Sequence, residues 1–299
     1  MKYALYPGCS LDNSSVAYAM SLEAVAGNLG LEFETIDDWN CCGATEYHTI
    51  DKLAAHAVIA RNLALVDEKL DQVVAPCSAC YLNLKKTDRL MTEHPDLDVQ
   101  VNRALAAGDL SYDAGRLNVR HILDVLYDDV GERAIRDHVA QPLRGLRVAP
   151  YYGCVVVRPY DDLDNSEYPS RLDELLGWLG AEVVDYPVKS HCCGGHMAQI
   201  SEEQAFELMR RLLSSADEYD ADVIACLCPM CQLNLDAYQD RVNSHYHTRF
   251  DLPVLFFTQL VGLALGLDRT ALGIGKEIVT ADPVLDSRII GTRGATPEE

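Results

Sequence analysis

The sequence lacks the short motifs that bind the common soluble cofactors. No GxGxxG follows a predicted strand, and no GxxxxGK is followed by Ser or Thr, so no flavin, NAD or ATP site is evident. The closely spaced cysteine run of ferredoxins is missing as well. Any electrons that this chain uses must therefore come from another polypeptide.

Basic residues are scarce, with 25 Lys and Arg against 46 Asp and Glu and a formal net charge of −21. A field of that sign repels nucleic-acid backbones and anionic lipids, so we expect neither as a partner. No basic region followed by an apolar run opens the chain, which predicts no secretory signal. The longest apolar run, 252–267, is short for a transmembrane segment and contains Thr258 and Gln259. We expect a cytoplasmic protein without a transmembrane segment, peripheral to a membrane only through partners.

Cysteine is abundant, with 11 residues in a chain of 299. In a reducing compartment, clustered cysteines indicate metal or redox chemistry more often than structural disulfides. Ten of them belong to an internal repeat whose offset is constant at 151 residues from the double cysteine onward. The matched segments are Tyr6-Pro-Gly-Cys9 with Tyr151-Tyr-Gly-Cys154, Cys41-Cys42-Gly43 with Cys192-Cys193-Gly194, and Cys77-Ser-Ala-Cys80 with Cys228-Pro-Met-Cys231. The eleventh, Cys226, matches Ala75 and is predicted to be a buried strand residue.

Both halves show the same alternation of predicted strands and helices. Strands are expected at 2–7, 31–36 and 72–75, and again at 146–151, 182–186 and 222–225. This alternation predicts an α/β fold of two repeated domains, each a small, mostly parallel sheet flanked by helices. We place the domains at 1–142, with a helical insert at 91–141, and at 143–270, where 252–267 forms a strand and then a helix. The tail, 271–299, is expected to be disordered or ordered only against a partner.

The cysteines of each half follow successive strands, so all five should meet at one edge of their sheet. A bond between Cys41 and Cys42 would be strained, because neighbouring Cα atoms lie about 3.8 Å apart and disulfides prefer roughly 4.4–6.8 Å. A structural zinc ion takes four ligands, one fewer than the five available. An iron–sulfur cluster has several metal corners and accepts adjacent thiolates on different irons. The spacing favours clusters, with zinc in one half as the main alternative.

The duplicated pattern of one cysteine, then CCG, then CxxC resembles that of the CCG-domain proteins, and in particular the B subunit of heterodisulfide reductase, over 2–267. The resemblance implies two non-cubane 4Fe-4S clusters, one per half, with cleavage of a small-molecule disulfide between them. It also implies that a flavin-containing iron–sulfur subunit supplies electrons through a ferredoxin-like iron–sulfur subunit. The implied cluster ligands are the ten repeated cysteines: Cys9, Cys41, Cys42, Cys77, Cys80, Cys154, Cys192, Cys193, Cys228 and Cys231.

Two positions depart from the methanogen enzymes as the resemblance describes them. Gly43 stands where those enzymes usually carry Pro, and Val155 where they tend to carry His. The ligands are intact, but the coenzyme M–coenzyme B disulfide is not the expected substrate. Similar subunits occur in type-E succinate dehydrogenases and in lactate- or glycolate-oxidising complexes. The main hypothesis is therefore a catalytic subunit that reduces or forms a disulfide. The alternatives are an electron-relay or docking subunit and a module with zinc in one half.

Several side chains near the cysteines are candidates for further roles. His191 and His196 flank the second double cysteine, and either could protonate a leaving thiolate or simply shape the loop. His48 lies near the first double cysteine and is a weaker candidate for the same role. Asn83 and Asn234 repeat at the start of the helices that follow each CxxC, where they could fix the ligand loops by hydrogen bonds.

Overall fold

Two four-stranded parallel sheets form the framework of the protein. A computed structural model of the chain describes residues 1–44 and 46–289. The strands are β1 (Lys2–Leu5), β2 (Glu32–Thr35), β3 (Gln72–Ala75), β4 (Asn118–His121), β5 (Arg147–Tyr151), β6 (Glu182–Val183), β7 (Val223–Cys226) and β8 (Val254–Phe256). Their orders are β2-β1-β3-β4 and β6-β5-β7-β8, so the two sheets have the same topology. The predicted α/β fold with one parallel sheet per half is confirmed.

Helices cover the sheets and bury a continuous apolar core. They are α1 (Val16–Leu29), α2 (Tyr47–Ile50), α3 (Lys52–Ala64), α4 (Ser78–Glu93), α5 (Pro95–Leu105), α6 (Ile122–Asp124), α7 (Gly131–His138), α8 (Arg171–Trp178), α9 (Glu202–Glu218), α10 (Pro229–Ala237), α11 (Gln239–Tyr246), α12 (Phe257–Ala264) and α13 (Asp282–Arg288). Local sequence fixes several of their ends. The Asp51 carboxylate accepts the Ala54 N–H at the start of α3, and Gly30 ends α1 in the left-handed region at φ 67°.

The segment 91–141, predicted to be a helical insert, also contains a strand. β4 lies inside it and pairs with β3 in parallel, as β8 pairs with β7 in the other half. The prediction missed β4 because the strand is only four residues long and carries three polar side chains, Asn118, Arg120 and His121. Only Val119 and His121 are buried, so the alternation is too brief to stand out between helices. The strand and helix predicted within 252–267 are confirmed as β8 and α12.

The first part of the predicted tail packs on the chain itself. Leu272 and Leu285 are fully buried, and the Asp236 carboxylate accepts the N–H groups of Ile278 and Val279 at 2.8 and 2.9 Å. The expectation that the tail is disordered or ordered only against a partner is therefore wrong for 271–289. Its apolar residues are too far apart to give a periodic signal, although each fills a gap in the body. The remaining tail residues, 290–299, lie outside the described part of the chain.

Contacts between α1 and the second half hold the two sheets together. The Tyr18 ring stacks on Phe256 with centroids 4.3 Å apart. Its hydroxyl lies 3.0 Å from the Pro76 carbonyl oxygen and 3.3 Å from that of Leu227, the residues that precede the two CxxC motifs. The Tyr18 hydroxyl therefore contacts equivalent backbone carbonyls of the two repeats.

Candidate functional site

Each sheet has a crevice between its first and third strands. From β1 the chain passes to β2 on one side and later returns to β3 on the other, which opens a gap at the carboxyl ends of β1 and β3. Cys9 follows β1, and Cys77 follows β3 as the N-cap of α4. The second sheet repeats the arrangement with Cys154 and Cys228. The topology thus explains why cysteines distant in sequence meet at one edge.

All ten repeated cysteines line a single cavity of about 160 Å³. Sulfur–sulfur distances within a half are short: 3.7 Å between Cys41 and Cys9, and 3.4 Å between Cys42 and Cys80. Across the halves, Cys77 and Cys228 line the same cavity, and each influences the pKa of the other. The expectation that the five cysteines of each half meet at one edge is confirmed, and one cavity contains both sets.

Matching asparagines hold the two double-cysteine loops. The Asn83 amide donates to the carbonyl oxygens of Cys42 at 3.1 Å and Ala44 at 2.6 Å. The Asn234 amide lies 3.3 Å from the Cys193 carbonyl oxygen and 2.8 Å from that of Gly195. The expectation that these side chains fix the ligand loops is confirmed. Each asparagine ties the first turn of its CxxC helix to the loop that supplies the neighbouring thiols.

Tyrosines provide a second matched support. The Tyr6 hydroxyl donates to the Asn40 carbonyl at 2.7 Å, and the Tyr151 hydroxyl donates to the His191 carbonyl at 2.8 Å. Each accepting residue directly precedes its double cysteine. Burial raises the pKa of both phenols well above the ordinary value. These tyrosines therefore keep their protons and position the loops.

Glycine is required where the loop after the first strand passes the CxxC sulfur. Gly8 and Gly153 have φ values of +71° and +70°. A Cβ at Gly8 would lie 2.9 Å from the Cys80 sulfur, and one at Gly153 would lie 3.1 Å from the Cys231 sulfur. Both the backbone conformation and the close approach therefore exclude a side chain at these positions.

The hydrogen bonds among the thiols favour the thiolate form at selected positions. The pKa of Cys42 is lowered to about 3 because hydrogen bonds with Cys41, and then with Cys80, favour its thiolate. The pKa of Cys193 is lowered in the same way, chiefly by Cys231. Since the thiolate is the metal-binding form of cysteine, each half has a buried sulfur prepared for a metal.

The predicted proton donors lie in different surroundings. His196 lines the cavity, and its Nδ1 contacts the Glu46 carboxylate from the other half. His191 is exposed and lies outside the set of described residues that line the cavity. His48 is half-buried, and burial lowers its pKa. His196 is therefore the candidate that the fold brings to the sulfurs, and its role stays a prediction.

Ser78 is a cavity residue that sequence reasoning missed. It is fully buried between Cys77 and Cys80, and its hydroxyl has no hydrogen-bond partner within the described chain. A buried hydroxyl without a partner costs about 1–3 kcal/mol. The equivalent residue in the second half is Pro229, and this mismatch inside a repeated motif was the available signal.

The donor set suits a group that spreads its bonds over several metals. It consists of cysteines, which are ligands of both iron–sulfur clusters and zinc. Among residues 1–44 and 46–289, no three His, Cys, Asp or Glu side chains converge on one point as a single metal ion requires. Ten sulfurs around one cavity, with glycine backbone packed against two of them, fit iron–sulfur clusters in both halves.

The fold and the duplicated cysteine site define a two-domain cysteine-rich protein. The family model described as "Cysteine-rich domain", CCG, matches residues 3–85 and 148–236. The chain belongs to this CCG family. Both matched regions contain one complete set of five cysteines.

Relatives from bacteria and archaea are similar over most of the chain. The 8-methylmenaquinol:fumarate reductase membrane anchor subunit of Wolinella succinogenes is 34% identical, over 94% of this chain and 98% of its own. A heterodisulfide reductase B-subunit-like protein of Archaeoglobus profundus is 31% identical, over 90% and 92%. The B subunit of the ferredoxin:CoB-CoM heterodisulfide reductase of Methanosarcina mazei is 29% identical, over 93% and 94%. The predicted resemblance to the B subunit of heterodisulfide reductase is confirmed.

The fold also occurs in a solved structure of low sequence similarity. A hypothetical protein from Helicobacter pylori superposes with a TM-score of 0.73 at 13% identity, over 93% of this chain. This chain spans about half (52%) of that protein's length, and the likeness shows the fold alone. Within the described residues, no helix combines the length and apolarity needed to cross a membrane.

Proposed function

We propose that this chain holds two iron–sulfur clusters, one on each five-cysteine set, and reduces a small disulfide between them. It would do so as the iron–sulfur subunit of a multi-subunit, heterodisulfide reductase-like complex. The observation that carries the proposal is the single cavity lined by all ten cysteines. A cavity shared by both sets gives each sulfur of one disulfide access to a different set.

The chemistry assigns distinct tasks to the residues of the cavity. Cleavage breaks one S–S bond, consumes two electrons and two protons, and releases two thiols. The clusters would supply the electrons singly, replenished by a ferredoxin-like subunit and a flavin iron–sulfur subunit. Asn83 and Asn234 hold the ligand loops, so the thiolates keep their positions as charge changes. His196, held by Glu46, is the proposed proton donor to a departing thiolate.

Metal analysis of anaerobically purified protein tests the ligand assignment. We expect about eight irons per chain if each set holds a four-iron cluster. Replacing Cys193 with Ser should remove iron from the second half only. About four irons plus one zinc would instead identify one half as a structural zinc site. Retention of all iron in the Cys193 variant would contradict the assignment.

Turnover tests the proposed chemistry. With reduced partner subunits present, the chain should convert a small disulfide to two thiols. His196→Asn should retain iron and slow that turnover by roughly 10²-fold. Full iron content with near-normal turnover in the variant would assign His196 a structural role.

A second candidate function is electron relay in a fumarate reductase-related complex. The Wolinella succinogenes relative, with 34% identity over nearly its whole length, supports this possibility. Co-purification distinguishes the two. A flavin iron–sulfur subunit with a ferredoxin-like subunit favours disulfide chemistry. A fumarate reductase or succinate dehydrogenase flavoprotein, with electron transfer from a quinol and no disulfide turnover, favours relay.

A further inference from the structure

The residues that line the cavity include three that carry a hydroxyl, Ser10, Ser78 and Tyr152, and the proposed ligand set uses none of them. Ser78 is the first residue of α4, directly after Cys77, and none of its surface is exposed. Its hydroxyl lacks a hydrogen-bond partner among the described residues, and Ser78 is one of the residues that line the cysteine cavity. A hydroxyl in this position can donate to an atom that enters the cavity from outside the chain.

The other half offers a direct comparison. Pro229 occupies the matching position at the start of α10, where proline is readily accepted because the first turn needs no N–H there. Neither its side chain nor its nitrogen can donate a hydrogen bond. The helix start is therefore built equally well without serine, and the Ser78 hydroxyl is not needed to begin α4.

The chemistry of the cavity indicates what such a donor would meet. The lining is dominated by the sulfurs of both cysteine sets, and in their metal-binding form these are anions. A hydrogen bond from a neutral hydroxyl to an anionic acceptor is about twice as strong as one between neutral groups. The partner that fits Ser78 is therefore an anionic sulfur.

We propose that Ser78 donates a hydrogen bond to an anionic sulfur in the first half of the cavity, and that the second half lacks this bond. The sulfur is either a sulfide of the first-half cluster or the thiolate of a cleaved substrate. The inference rests on the proposed clusters. If the sulfur belongs to the cluster, the bond stabilises the more negative, reduced state and raises the reduction potential of the first half alone.

Variants of Ser78 distinguish the effect of the hydroxyl donor from the effect of side-chain volume. Ser78→Ala removes the donor, Ser78→Pro copies the second half, and Ser78→Thr keeps a hydroxyl. Each is made in a Cys193→Ser background, so that redox titration followed by electron paramagnetic resonance reports only the first-half cluster. If the acceptor is a cluster sulfide, we expect the reduction potential of the first-half cluster to be lower in the Ala and Pro variants. The Thr variant should restore the original potential. Pro229→Ser, in a Cys42→Ser background, should raise the second-half potential.

Binding of 2-mercaptoethanol to the same cluster distinguishes the two sulfur sources. If the acceptor is a substrate thiolate, the Ala and Pro variants should bind the thiol about tenfold more weakly at an unchanged potential. Iron loss in the Ala and Pro variants, but not in Thr, also supports the cluster sulfide. Unchanged potential and thiol affinity with full iron content would overturn the inference, as would equal iron loss in Thr. The potentials need no disulfide turnover, so failure of the proposed reaction is distinguishable from failure of this bond.

Discussion

Replacing Asn83 with Ala should loosen the first double-cysteine loop without touching a cysteine. The variant removes the two hydrogen bonds to the Cys42 and Ala44 carbonyls. Each is worth about 1 kcal/mol, and a buried carbonyl left unpaired adds to the loss. We expect the free energy of unfolding to fall by about 2–4 kcal/mol. If about 2 kcal/mol of this bears on the metal-binding loop, metal affinity in the first half falls roughly 30-fold.

Urea unfolding of the metal-free protein measures the stability, and iron retention against a chelator measures the affinity. Asn83→Ala should lose first-half iron in a Cys193→Ser background and spare second-half iron in a Cys42→Ser background. Asn234→Ala should do the reverse. Asn102 provides the matched control, because it bonds the Tyr112 backbone in both directions, at 2.8 and 3.1 Å. Asn102→Ala should lower stability and retain iron. Equal iron loss from both halves in Asn83→Ala would refute the reasoning.

Three further predictions test the site and its surroundings. Cys226→Ala, which copies Ala75, should keep the full iron content, because Cys226 is a buried residue of β7, as expected, and is not among the residues that line the cavity; loss of one cluster on iron analysis would contradict this. Gly8→Ala should lose first-half iron because its Cβ meets the Cys80 sulfur, whereas Gly27→Ala, with open space around it, should keep iron and gain about 0.5–1 kcal/mol in urea unfolding. Burial lowers the pKa of His121 from 6.5 to about 4. Neutral His121 therefore contributes about 3 kcal/mol to the free energy of unfolding above pH 6.5, and this contribution is lost as the pH falls toward 4. Urea unfolding from pH 7 to 4.5 should show this loss, and an equally steep loss in His121→Asn would refute it.

The spacing of the cysteines was sufficient to predict where they meet. In parallel sheets the chain ends every strand at the same edge, so residues that follow successive strands are brought together whatever lies between them. Cys9 and Cys77 are far apart in sequence, yet β1 and β3 are neighbours. The repeat then gave two independent instances of the same pattern. Prediction from hydrophobic periodicity failed where an element is short, as in β4, or where a segment has few apolar residues, as in 271–289.

Contacts between the two halves could not be predicted from the sequence. The pairing of His196 with Glu46 joins residues 150 positions apart, and no spacing rule relates them. His191 and His196 were equivalent candidates in sequence, but a backbone turn places one on the surface and the other in the cavity. Ser78 was equally hidden, because an unpaired hydroxyl is defined only by what surrounds it in three dimensions.

Comparison of the halves separates structural support from distinctive chemistry. The asparagine, tyrosine and glycine contacts recur with nearly the same distances, which indicates that they serve a task common to both halves, holding five sulfurs in place. Among the positions that differ are Ser78 against Pro229 and Ala75 against Cys226. Both lie in or next to a CxxC motif, where a donor alters charge on sulfur. A disulfide whose two sulfurs meet unequal surroundings has one sulfur that accepts negative charge more readily. Such an arrangement would give the two bond-breaking electrons a preferred order.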